Sequence, residues 1–245
     1  MNTYNTLTLG AIVSDNYKAA SIFENHGIDF CCQGNRNFSD ACKAAGLDAE
    51  KLAKEIDALT AETNTTVNFK HWPLDVLADH IFKTHHQYIE QITPTIKNLL
   101  LKICNVHGSR HPELLEIQEI FNATTGELAV HMKKEELIVF PFIKKLFHAK
   151  EKGVATSSQL FSSVASPIQK MNEDHLDEGE QLAKMAELSN NFTPPEDACI
   201  TYQTTYKLLK EYETDMHLHI HLENNILFPR ALEIERELVQ KHTAL

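Results

Sequence analysis

Apolar residues recur at spacings of three and four along most of this chain from about residue 73 onward, the signature of helices with one buried face. Leu77, Ile81, Ile89, Ile92, Ile96, Leu100 and Ile103 make the clearest stripe. The pattern predicts four long helical segments, at about 73–104, 112–150, 160–188 and 195–240, with Pro73 at a natural first helical position. Polar breaks at 105–112 and 189–195 separate them. Short connections between long amphipathic helices imply antiparallel neighbours, hence an all-α, up-down four-helix bundle. Residues 1–60 carry shorter periods. One helix is expected from about Asp15 to Asn25, stopped by His26-Gly27. Ser39 is placed to cap a second that Gly46 ends, and Asp48 a third reaching about Leu59. The Thr- and Asn-rich stretch 61–72 reads as a linker between a small helical domain at 1–60 and the bundle at 73–245.

Two prolines interrupt the long segments. Pro141 and Pro229 each remove a helical hydrogen bond and crowd the preceding turn, at about 3 kcal/mol if uncompensated, so a kink or break is expected at both. Each stands six residues after a glutamate in a repeated element. Residues 131–141 read HMKKEELIVFP and 219–229 read HIHLENNILFP, both His-x-x-x-Glu-x-x-Ile-x-Phe-Pro, 88 residues apart. A bare His-x-x-x-Glu is common, as His86 and Glu90 show; the Ile-x-Phe-Pro extension makes these two copies specific.

A His and a Glu four apart lie on one helix face. His86 precedes His131 by 45 residues and His175 precedes His219 by 44, about one helix up and part of the next one down. The expectation is four imidazoles and two carboxylates at one level of the bundle: His86, His131, Glu135, His175, His219 and Glu223. Such N and O donors suit iron, manganese or zinc. The absence of cysteine from the pattern argues against a zinc knuckle or an iron–sulfur cluster. Three protein ligands per ion leave positions open for exchange or reaction. His85 and His86 are about 100° apart on their helix, and periodicity alone does not separate them. His217 and His221 lie about 200° from His219 and Glu223, so they are assigned to other faces. The isolated His71, His107 and His148 read as surface residues.

Composition narrows the partners. Asp and Glu total 34 against 23 Lys and Arg, a formal charge of −11, which disfavours nucleic acid and anionic membranes. Eight Gly and eight Pro among 245 residues fit a helical protein. The N-terminus lacks the basic and apolar regions of a secretory signal, and no apolar run approaches the roughly 18 residues of a membrane span. Five cysteines without framework spacing fit a reducing cytoplasm.

Three elements carry a resemblance: IDFCCQG at 28–34, the two His-x-x-x-Glu…Phe-Pro copies, and HLENNILFPRAL at 221–232, joined by DHIFKTHH at 79–86. With these the chain resembles the repair-of-iron-centres family, whose helical part is a hemerythrin-like domain. The resemblance implies two non-haem iron ions with an oxo or hydroxo bridge, held by the six residues above, and selects His86 over His85. It implies acidic groups around the ligands at Glu127 and Asp174. The fifth histidine of oxygen-carrying hemerythrins is missing, which counts against a simple O₂ carrier.

The function implied is repair of iron–sulfur clusters damaged by nitrosative or oxidative stress, by donation of iron to damaged iron–sulfur proteins. Nitric oxide or O₂ would be small ligands and a homodimer the working form. The alternatives are a di-iron nitric oxide reductase or peroxidase, or a sensor or carrier of O₂, NO or iron. Cys31 and Cys32 read as a redox or iron-handling pair. A disulfide between neighbours needs a distorted eight-membered ring, so no stable bridge is expected. Cys42, Cys104 and Cys199 read as packing residues.

Overall fold

A computed structural model describes residues 3–61, 67–153 and 163–243. Among these the chain is all-α, with no strand beyond a single bridge between Thr8 and Asn37. The helices are α1 (Leu9–Asp15), α2 (Ala19–Asn25), α3 (Phe38–Ala44), α4 (Ala49–Ala61), α5 (Leu74–His80), α6 (Gln87–His107), α7 (Glu113–Lys134), α8 (Phe140–Glu151), α9 (Ala165–Leu188), α10 (Ile200–Leu222) and α11 (Phe228–Thr243). The expected start of the third long segment at 160, and residues 62–66 of the expected linker, fall outside the described residues.

The chain forms two compact units. One comprises 1–78, 143–165 and 218–245, the other 79–142 and 166–217, and the chain passes between them inside α5, α8, α9 and α10. In the first unit, Leu9, Val13, Phe23, Phe30 and Phe38 form a closed core, with the Phe23 ring 6.2 Å from Phe30 and 6.3 Å from Phe38. Helix α1 was not foreseen, because a seven-residue helix containing Gly10 is too short to show a period. Thr8 caps it by accepting from the Ala11 N–H. The α3 cap is Asn37 rather than Ser39: its side-chain oxygen accepts from the Ser39 N–H. Asp48 caps α4 as expected, accepting from Glu50. Gly27 and Gly46 take the left-handed conformation that stops α2 and α3.

In the second unit, Ile89, Ile96, Leu100 and Ile103 of α6 are buried, as are Leu114, Ile117, Phe121 and Leu128 of α7. Tyr202, Tyr206 and Tyr212 of α10 are fully buried, and Tyr212 packs edge-on to Phe121 with ring centres 5.2 Å apart. His107 is not a surface residue. It is buried against Tyr202, with Nε2 3.3 Å from Cys199 Sγ, while Cys199 itself is exposed rather than packed.

The expected breaks at Pro141 and Pro229 are turns of π-helix, at Glu135–Val139 and Glu223–Leu227. The Phe140 N–H reaches back five residues to the Glu135 carbonyl, and Phe228 reaches Glu223 in the same way. In an unbroken α-helix the Pro141 ring would meet the Leu137 carbonyl and the Pro229 ring the Asn225 carbonyl. One extra residue per turn relieves that clash, so each helix continues. Such turns concentrate at functional sites. A third spans Ile81–His86, where no proline signalled it.

Candidate metal centre

The three π-turns carry the candidate ligands. His86 ends the first, and Glu135 and Glu223 open the other two. His86, Glu135, His175, His219 and Glu223 are fully buried, and His131 is 3% exposed.

In the second unit four of these side chains converge. Glu135 Oε2 lies 3.4 Å from His86 Nε2, and its other oxygen lies 3.2 Å from His131 Nε2 and 4.0 Å from His175 Nε2. His131 and His175 face each other through Nε2 at 3.1 Å. Two donor atoms on one ion with bonds of about 2.1 Å stand about 3.0 Å apart when they are cis. The spacing of these nitrogens and oxygens therefore fits ligands of a shared cation. The two oxygens of Glu135 address different histidines. In the first unit His219 Nε2 lies 3.2 Å from Glu223 Oε1, matching the 3.2 Å of His131 and Glu135. A carboxylate buried this deeply keeps its charge against a cation or gives it up by taking a proton.

The outward ring nitrogens are held by carboxylates. His86 Nδ1 lies 3.1 Å from Glu136, which Lys133 anchors at 2.6 Å; Lys133 also reaches Glu90 at 2.9 Å. His131 Nδ1 lies 3.3 Å from Asp174, which Lys170 anchors at 2.8 Å. Partial burial pushes the Asp174 carboxyl up, but the hydrogen bonds from Lys170 and His131 outweigh it and hold Asp174 below its ordinary value. Such carboxylates fix the tautomer, leaving Nε2 free to donate its lone pair. Glu127, expected beside the ligands, lies on the exposed face of α7. Glu136 occupies the place it was assigned. Its neighbour Glu135 masked it in the sequence, since i and i+1 do not share a helix face. Glu136→Gln and Asp174→Asn should each lower metal affinity about 10- to 100-fold, checked by competition with a chelator.

His85 is buried but turned away, its Nδ1 2.9 Å from Asp215. His221 was assigned to a face away from the core, yet it is 1% exposed, covered by Phe30 with ring centres 5.7 Å apart. The N-terminal residues supply a second buried face to α10, which the bundle periodicity could not reveal. Burial lowers the His221 pKa to about 3, so this imidazole is neutral.

Residues 77–231, which span all six candidate ligands, match the Hemerythrin HHE cation binding domain, and residues 5–60 match a Domain of Unknown function (DUF542) named ScdA_N. The chain belongs to the hemerythrin HHE family. Relatives that share both parts are the iron-sulfur cluster repair protein ScdA of Staphylococcus haemolyticus and the iron-sulfur cluster repair protein YtfE of Yersinia pestis. The first is 32% identical over 91% of this chain and 97% of its own length, the second 33% identical over 95% and 99%. Within this hemerythrin HHE protein, the donor set and the family's cation-binding domain together indicate a metal site. Among the described residues no helix is long and apolar enough to cross a membrane.

Proposed function

We propose that this chain repairs damaged iron–sulfur clusters by donating iron from a di-iron centre held by His86, His131, Glu135, His175, His219 and Glu223. The observation that carries the reading is the cluster of His131, His175 and His86 around the two oxygens of Glu135, repeated in outline by His219 and Glu223. The names and near-complete overlap of the relatives support the choice of iron–sulfur proteins as clients. Bound there, two iron ions with an oxygen bridge would supply labile ferrous iron to a client.

The side chains present suit release. The set is nitrogen and oxygen without thiolate, so it holds ferrous iron less tenaciously than sulfur would. Glu136 and Asp174 keep His86 and His131 oriented while the ion leaves, and Lys133 and Lys170 hold those carboxylates at the surface. The working protein is a cytoplasmic homodimer in this reading, and the exposed Val130, Leu137 and Ile138 offer apolar area for such contact. The direct test mixes iron-loaded protein with a cluster enzyme inactivated by nitric oxide. Recovered activity with matching loss of iron from this chain is expected. No recovery with iron retained contradicts donation, and steady consumption of nitric oxide without iron loss favours a reductase.

A further inference from the structure

The loop that carries Cys31 and Cys32 is held from both sides. Asp29 Oδ1 accepts the backbone N–H groups of Cys31 at 3.1 Å and Cys32 at 2.9 Å. From the other side, the Asn225 amide donates to the carbonyl of Cys31 at 3.0 Å and of Phe30 at 3.4 Å, and Asn224 donates to Cys31 at 3.4 Å. Asn225 fits a slot that only glycines can form. A Cβ on Gly10 or on Gly34 would stand 2.3 or 2.2 Å from its Oδ1. The backbone bond from Gly10 N–H to the Gly34 carbonyl, 2.8 Å, closes the slot.

The result is a fixed arrangement of three donor atoms. Cys31 Sγ lies 3.7 Å from Cys32 Sγ and 3.3 Å from Asp29 Oδ1, and the donor atoms of all three residues fall within 4.8 Å of one another. The sulfurs are far beyond the roughly 2.05 Å of a disulfide. A tetrahedral ion with metal–sulfur bonds of about 2.3 Å and a metal–oxygen bond of about 2.0 Å has edges of about 3.8 Å between sulfurs and about 3.5 Å between sulfur and oxygen. The two separations from Cys31 Sγ, to Cys32 Sγ and to Asp29 Oδ1, are within about 0.2 Å of those edges.

We propose that Asp29, Cys31 and Cys32 form a second, single-ion site for a thiophilic divalent cation, ferrous iron or zinc, with Asn225 as its positioning residue. Binding displaces the two thiol protons. Three protein ligands leave a fourth position for an incoming ligand, the arrangement of a transfer site rather than a structural one. The site stands independently of the di-iron reading and deepens it, because Asn225 and Glu223 belong to the same π-turn. In the first copy of the repeat the equivalent of Asn225 is Leu137, 74% exposed. Only the second copy is built to hold this loop.

The test is a Co²⁺ titration of the reduced, iron-loaded full chain, read by the near-ultraviolet thiolate-to-cobalt absorption that His and Glu ligands cannot produce. One equivalent per chain is expected, lost in Cys31→Ser/Cys32→Ser and weakened at least tenfold in Asp29→Asn. An asparagine there still accepts the two backbone N–H groups, so the loop stays folded while the anionic ligand goes. The absorption should persist in His219→Ala, even where that substitution removes iron. No absorption in the native chain, absorption that survives the double serine substitution, unchanged affinity in Asp29→Asn, or its loss in His219→Ala each overturns the proposal. A chain that binds no iron yet shows the cobalt absorption sinks the di-iron reading and leaves this one standing.

Discussion

Glu135→Gln is expected to empty both halves of the metal centre while stabilising the metal-free protein. Glu135 is fully buried, with one oxygen toward His86 and the other toward His131 and His175. In the proposed di-iron centre Glu135 would serve both ions, so removing its charge should cost both, a loss well beyond the about 10- to 100-fold typical of groups outside the ligand set. The metal-free protein should respond in the opposite direction. There the carboxylate is an acid buried away from water, and an amide of the same shape removes the cost of that burial. A purely structural Glu135 would lower stability under both conditions. Iron content and thermal unfolding, each with and without chelator, separate the two. By contrast, His86→Ala should weaken binding of one ion and leave the other, since His131 and His175 still face Glu135.

Gly34→Ala should destabilise the chain by about 1–3 kcal/mol, the cost of forcing a methyl into filled space. For a chain of this size that lowers the unfolding midpoint by about 2–4 °C per kcal/mol. The new Cβ would stand 2.2 Å from Asn225 Oδ1 and 2.6 Å from the Phe30 carbonyl. The first contact can be relieved by moving a side chain, the second only by moving the backbone that presents Cys31. The cobalt absorption should therefore weaken along with stability. Combining it with Asn225→Ala vacates part of the slot, so the double substitution should cost less than the sum of the two. Strict additivity would show that Gly34 and Asn225 do not share that slot.

What the sequence made legible divides along physical lines. The long helices were visible because a buried stripe of Ile and Leu imposes a period that survives many residues. Four of the six candidate ligands were visible because a duplicated motif cannot be mistaken for a solvated face; His86 and His175 came from their spacing to it, and the family resemblance chose His86 over His85. The π-turns were half visible. Pro141 and Pro229 announced a disturbance, but whether a helix answers a proline by breaking or by widening depends on packing. The turn at Ile81–His86 had no proline to announce it. His107, His221 and Glu136 escaped notice because each owes its role to a tertiary neighbour: Tyr202, Phe30 and His86 respectively. The slot around Asn225 was also hidden, since nothing in the sequence pairs Gly10 with Gly34 until the third partner, from the far end of the chain, arrives between them.

The central claim rests on metal occupancy, and iron analysis with Mössbauer spectroscopy on the purified chain and on His219→Ala tests it most directly. The account predicts two magnetically coupled iron ions per native chain and reduced iron, with the coupling lost, in His219→Ala. A native chain without iron, or iron content and coupling unchanged by the substitution, would contradict it.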